Sequence, residues 1–326
     1  MLVSSTPHIR SSDSIKKIMR AVLLALTPAA LMGVYYFGLR ALLLIMLTMA
    51  SCALFEALYQ RLTGQTVTVS DCSALVTGLL LAFNLPPSAP FWLPIVGAFV
   101  AIIIAKQLFG GLGQNFINPA LAGRAFLMAA YTPLMSSSFT APVKNILDMD
   151  AVASATPLQM IKTGAFAPGT ADYIQALIGS RAGCIGETCA IALIAGGLFL
   201  IYKKIISWHI PVTFIGTVFI FTFIFQPGGF FGGYPLYHTV SGGLMLGAFF
   251  MATDYSSSPV TPVGKIIMGI GCGLITGLIR VYGGYPEGVS YSILLMNLAV
   301  PLIERYTRPK VYGVRTGKLK PRGSRR

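Results

Sequence analysis

Three groups of residues in this chain have side chains and spacings that could do chemistry. The first is the string Asp150-Ala-Val-Ala-Ser154-Ala155-Thr156-Pro-Leu158, where a carboxylate stands six residues before a threonine hydroxyl. Read alone, it is a helix N-terminus: threonine accepts bonds from the first free amides, and proline fills the first helical position. The second is Gly113-Gln-Asn115-Phe-Ile-Asn118-Pro119-Ala120, with Arg124 shortly after it. Each asparagine offers a donor and an acceptor to a ligand edge, while Asn118-Pro119 also reads as the start of a helix. Arg124 falls one to two turns into an apolar run, and a charge inside a membrane segment is a functional candidate by default. The plainer readings of Arg124 are a structural ion pair with Glu56 or Asp254, or a side chain that snorkels. The third group is Glu56, Asp71 and Asp254, hard-oxygen groups suited to a sodium ion or a proton relay. Asp71 doubles as a cap for a helix beginning near residue 73.

Other chemistries find no support. Cys52, Cys72, Cys184, Cys189 and Cys272 contain no Cys-x-x-Cys, so the chain cannot by itself hold an iron–sulfur cluster in a familiar way. Cys184 and Cys189 are spaced so that a disulfide could form, with free thiols as the default. His8, His209 and His238 are scattered, and no metal-ligand spacing appears. The glycine pairs at 228–229 and 232–233 lack any phosphate-loop pattern and read as turns.

The elements that must position these groups are membrane helices. Hydrophobic residues make up 55% of the 326 and charged residues only 10%, too little charge to cover a soluble protein. Apolar runs recur at lengths near the ~20 residues that cross a hydrocarbon core; a β-barrel would show short alternating segments instead. The predicted spans are 18–38, 41–60, 73–85, 91–109, 115–131, 187–202, 210–226, 239–252, 263–282 and 288–304. The chain is therefore expected to be an all-α polytopic membrane protein with about ten membrane segments. The net charge of +14 sits mostly in two tails. Arg10, Lys16, Lys17 and Arg20 flank the first span, and nine basic residues follow Glu304. Such flanks mark the cytoplasmic side, so both termini are expected there and nucleic acid is not an expected partner. Arg61, Lys106, Lys203, Lys204 and Lys265 fall at inner connections on this scheme; Arg40, at the first outer turn, dissents.

Spans 73–85 and 239–252 are too short for a ~30 Å core at 1.5 Å per residue. They also align with one another from Leu75 to Pro90 and from Leu244 to Pro259. Paired short, Gly/Pro-interrupted segments point to two inverted five-segment repeats with broken helices. The expected organisation is a tail over 1–17, a first membrane repeat over 18–131, an extracytoplasmic loop over 132–186, a second repeat over 187–304 and a basic tail over 305–326. A loop of that length in a compact protein is usually functional.

The motifs at Ser73–Pro87, Gly113–Ala120, Asp150–Leu158 and Thr253-Asp254-Tyr255-Ser256-Ser257-Ser258-Pro259 occur in one order, and together they resemble the NqrB/RnfD family over nearly all of 15–304. Length favours the RnfD branch, from the Rnf ion-translocating ferredoxin:NAD oxidoreductase complex, over NqrB of the sodium-pumping NADH:quinone reductase. The resemblance implies a flavoprotein subunit that relays electrons in the inner membrane of a bacterium, coupled to Na⁺ or H⁺. It implies FMN joined through its phosphate to Thr156, in a pattern Asp-x-x-Ser-Gly-Ala-Thr. Asp150, Ala155 and Thr156 match that pattern, whereas Ala153 and Ser154 replace the family's Ser and Gly. Such a linkage is expected to need an exposed hydroxyl on a tight loop. A second, non-covalent flavin (riboflavin or FMN) is implied near Asn115 and Asn118, with Arg124 as a candidate phosphate contact. The implied partners are the RnfA, RnfB, RnfC, RnfE and RnfG subunits, a flavin transferase and membrane lipid. A urea- or ammonium-type channel is the alternative from another class, because broken-helix repeats also build pores.

Overall fold

In the computed structural model, residues 14–136, 139, 142, 156–226, 229–285 and 287–308 are described. Helix α1, Ile15–Leu62, merges the first two expected spans and is interrupted at Gly38, whose φ of 72° is one that a side chain would disfavour. Arg40 lies just past that break. It donates to the carbonyls of Pro87 at 3.1 Å, Ser88 at 2.9 Å and Ala89 at 3.1 Å, and stands over the Phe91 ring. The charge that dissented from the topology is thus bonded to the carbonyls of a turn.

Helix α2, Ser73–Phe83, is short as expected, and α3, Trp92–Phe99, runs on through a π-helical turn at Val100–Ile104. Helix α4 is Pro119–Ala130 and α5 is Thr132–Ser136. The region read as a long loop contains helices α6, Pro157–Lys162, and α7, Thr170–Ile178. Then come α8, Ala190–Tyr202, and α9, His209–Ile224, followed by a two-residue strand pair, β1 Phe225–Gln226 with β2 Gly229–Phe230. The segment read as one span over 239–252 is two pieces. Helix α10, Pro235–Val240, ends before Gly242, where φ is 71°, and α11, Leu244–Leu246, continues as a π-helical turn to Met251. Helices α12, Pro262–Tyr282, and α13, Val289–Thr307, complete the described chain. Among the described residues, three helical stretches are long and apolar enough to cross a membrane: 15–62, 92–109 and 262–282.

Without a hydrophobic drive between helices in lipid, close backbone approach must hold them, and small residues permit it. Gly269, Gly273 and Gly277 form a stripe on α12 against α9, where an added Cβ would come within 1.9 Å, 2.5 Å and 2.5 Å of Thr213, Thr217 and Phe221. Gly78 does the same for α2 on α1, with Met49 Cα 2.7 Å from a Cβ placed there. Gly186 packs on Phe83, and the Gly186 amide donates to the Phe83 carbonyl at 2.9 Å. That bond ties the end of α2 to the entry of α8. Gly216 has open space around its Cβ position.

Gly78→Ala is expected to destabilise the fold by about 1–3 kcal/mol, since Met49 backbone cannot move aside cheaply. Gly216→Ala should match or exceed wild type, because it removes the glycine cost of a helix interior. Heating in detergent followed by size-exclusion chromatography reads both. Equal melting of Gly78→Ala and Gly216→Ala would contradict the packing described.

Candidate functional site

Two polar clusters interrupt the apolar interior. The first collects around Thr156. As expected, Thr156 caps α6 with Pro157 at the first helical position, its hydroxyl accepting from the Gln159 amide at 3.4 Å. Contrary to expectation the residue is not exposed: it is 5% accessible and lines a cleft of about 10 Å³ shared with Arg181, Glu187, Ser241 and Glu287. A cavity of about 350 Å³ lies beside this cleft, with Pro157 and Arg181 in both walls; Met160, Phe166, Gln175 and Tyr237 complete much of its lining. Asp150, Ser154 and Ala155 lie outside the described residues.

Three buried arginines surround the cleft. Arg124 donates to Asn84 Oδ1 and to Glu287 Oε2, and stands 3.7 Å from Glu187 Oε1. The expected ion pairs to Glu56 or Asp254 are therefore not made, and Arg124 is carried away from Asn115 and Asn118. Arg181 bonds the carbonyls of Glu187 at 3.1 Å and Val240 at 2.9 Å and the Ser241 hydroxyl. Arg280 bonds the carbonyls of His238 and Ser241. Both thus satisfy the free C-terminal carbonyls of α10. Lys162 of α6 donates to the carbonyls of Ile279, Gly283 and Tyr285, and burial lowers its ammonium below the usual lysine range. Cys184 and Cys189 are free and buried, with no disulfide between them.

The second cluster lies where α1, α2 and the end of the α3 segment meet. Lys106 Nζ reaches Glu56 at 3.0 and 2.9 Å and Ser73 Oγ at 2.7 Å, and Gln107 Nε2 donates to Glu56 at 3.0 Å. Lys106 is 1% exposed. It is thus no flanking charge at a membrane surface but half of a buried ion pair, because Glu56 needs a counter-charge there. Asp71 accepts from the Ser73 amide at 2.7 Å and caps α2. Beside this pair, Ser73, Lys106, Asn115, Asn118 and Asp254 line a cleft of about 60 Å³. Asn118 caps α4 through the amides of Ala120 at 3.0 Å and Leu121 at 3.4 Å, and donates to the Met251 carbonyl at 3.1 Å. Asn115 donates to the Ile117 carbonyl at 3.0 Å, and Asp254 accepts from the Ser256 and Ser257 hydroxyls at 3.1 Å each.

The fold therefore gathers Asn115, Asn118 and Asp254 on one cleft, with Glu56 joined to it through Lys106, and Thr156 with a different cluster. Sequence reasoning missed Lys106, Arg181, Glu187, Arg280 and Glu287. The available signal was an arginine in the last turn of a largely apolar α12, and an acid beside glycine in each of two connections.

A family model described as the NQR2, RnfD, RnfE family matches residues 2–313. The chain is 54% identical over 316 residues to the D subunit of the Na⁺-translocating ferredoxin:NAD⁺ oxidoreductase complex of Acetobacterium woodii, covering 96% of each chain. It is 46% identical over 321 residues to the proton-translocating counterpart of Clostridium ljungdahlii, again covering 96% of each. The D subunit of an ion-translocating oxidoreductase complex of Yersinia pseudotuberculosis is 38% identical over 351 residues, covering 97% of this chain and 99% of that one.

Removing one partner of the Glu56–Lys106 pair strands a buried charge, at a cost of about 3–5 kcal/mol. Lys106→Met is expected to melt well below wild type, and Glu56→Gln combined with Lys106→Met to recover much of the loss. A double variant no better than Lys106→Met alone would show that the two charges are not coupled.

Proposed function

The chain belongs to the NQR2, RnfD, RnfE family, and from that premise we propose that it is a membrane subunit of an ion-translocating ferredoxin:NAD oxidoreductase complex, carrying FMN on Thr156. Its activity is that of the complex: electrons are relayed through this subunit while Na⁺ or H⁺ crosses the membrane, with the other Rnf subunits as partners and a flavin transferase for maturation. End-to-end coverage of the D-subunit relatives supports this reading over an NqrB-like one, and a passive pore would have no use for an esterified threonine.

One observation carries the cofactor assignment: Thr156 lines a small charged cleft whose other wall residues Pro157 and Arg181 also line the adjoining 350 Å³ cavity. That volume lies within the about 300–1,000 Å³ usual for small-molecule sites. Phe166, Tyr237 and Met160 offer faces for a flat aromatic ring, and Gln175 and Arg181 offer polar contacts. Arg181 borders both spaces, so its positive charge is near the hydroxyl and would favour a phosphoester there. Bound flavin would supply one- and two-electron chemistry; the residues supply attachment, a dry apolar wall and a fixed positive potential.

The inner cleft fits a flavin poorly. Its 60 Å³ is far below that range, and the Asn118 amide is already engaged by α4 and Met251. Asp254 and the Asn115 amide, with the Ser73 hydroxyl, provide oxygen ligands better scaled to a monovalent cation or to water. An ion path along Glu56, Asp71 and Asp254 is supported there only in part, since Asp71 is a cap and Glu56 is paired.

Thr156→Ala should assemble, because losing a cap costs about 1 kcal/mol, yet give no in-gel flavin fluorescence after denaturation when produced with the flavin transferase. Thr156→Ser should keep part of it, since the hydroxyl makes the ester. Fluorescence persisting in Thr156→Ala, or absent from wild type under those conditions, sinks the assignment.

A further inference from the structure

Glu187 and Glu287 come from opposite ends of the second half of the chain and meet in the interior. Their carboxylates, with the Cys184 thiol, present atoms all within 4.8 Å of one another. Glu187 is 3% exposed, Glu287 7% and Cys184 1%. Two carboxylates so close, both out of water, cannot both carry full charge without compensation.

Among the described residues, a cation bonds one of them directly. Arg124 of α4 bonds Glu287 directly and stands off at 3.7 Å from Glu187. Among the described residues, Arg181 and Arg280 lie near enough to act on the acids through their charge, but they bond other groups. Arg181 spends its donors on the carbonyls of Glu187 and Val240 and on the Ser241 hydroxyl, and Arg280 of α12 on the carbonyls of His238 and Ser241. Lys162 of α6 is held by three carbonyls near the end of α12. Tyr237 of α10 faces Arg181 rather than the acids. Independently of the acids' proximity, Glu187 Oε1 is buried with no hydrogen-bond donor among the described residues. It sits against Gly243, where an added Cβ would be 2.9 Å away. An oxygen in that position needs a hydrogen and has room for little more.

We infer that Glu187 and Glu287 form a proton-binding pair, holding one proton between them at neutral pH in the cleft that reaches Thr156. The proton is exchanged with water: on release the pair becomes two carboxylates against Arg124, and on uptake one carboxyl and one carboxylate. Nothing is oxidised or reduced in the pair itself. A negative charge added to the cleft strengthens its hold on the proton. Only that last coupling rests on the flavin reading.

Infrared spectra of the purified full-length protein in H₂O and D₂O test the pair. Wild type should show a protonated-carboxyl C=O band at neutral pH that shifts in D₂O. Glu187→Gln and Glu287→Gln should each lose it, because either leaves one acid alone with Arg124 and ionised. An unchanged band in both variants overturns the inference, as does loss in Glu187→Gln only, which would mean an isolated acid. If the glutamine variants do not fold, Glu187→Asp and Glu287→Asp should each shift the band; no shift in either also overturns it. Thr156→Ala should retain the band, and its loss there would count against a pair fixed by the protein alone. Wild type that shows the band yet carries no covalent flavin when produced with the flavin transferase would refute the cofactor assignment and leave the pair standing.

Discussion

A guanidinium inside an apolar interior must find counter-charge or the segment carrying it will not stay there. Arg124 is 3% exposed, and what it finds are the ends of other helices: Asn84 just after α2, Glu287 just before α13 and, more distantly, Glu187 just before α8. One side chain on α4 thus fixes the relative positions of three interrupted or starting helices. These are places where a membrane protein has free backbone groups to satisfy, and irregular backbone is tolerated at depth only when protein covers it. The Arg124 cluster is that cover.

The same residues join the two clefts. Asn84 donates to the Leu80 carbonyl at 2.6 Å and touches the Met251 sulfur at 3.8 Å, while the Met251 carbonyl accepts from Asn118 at 3.1 Å. A continuous run of contacts therefore passes from Glu287 through Arg124, Asn84 and Met251 to Asn118, between the cluster at Thr156 and the cleft at Asp254. The Met251 carbonyl is available to this run because Met251 is the last residue of the π-helical turn at Gly247–Met251. With α2 and α11 both short, polar groups can enter from either side without crossing a full apolar span.

Much of this was legible because it is local. Thr156-Pro157 and Asn118-Pro119 read as helix starts and are helix starts; Asp71 read as a cap and is one; helices 73–83 and 262–282 fall where apolar run length put them. What was not legible is pairing at long range. Glu287 lies 163 residues from Arg124 and Lys106 lies 50 from Glu56, and hydrophobic periodicity does not report which polar groups meet. Lys106 resembled a membrane flank because a lysine ending an apolar run usually is one. Glu187 and Glu287 resembled loop charges because each stands beside glycine at a helix start. The break at Gly242 was hidden too, since Leu, Met and Phe continue on its far side and the run looks unbroken.

That break explains why guanidiniums stand near Thr156. Ending α10 at Val240 inside the fold leaves carbonyls at 238–241 beyond the reach of the helix's own amides. Arg181 and Arg280 bond them, one from the connection before α8 and the other from the last turn of α12. Hydroxyls would satisfy the same acceptors without charge, but a guanidinium spans two or three carbonyls at once with a rigid fork. The cationic field beside the cleft is therefore a consequence of interrupting a helix in an apolar setting, present before any ligand enters. The same cleft also carries Glu187 and Glu287, so the guanidiniums that bond the carbonyls and the carboxylates that face Arg124 stand side by side in it.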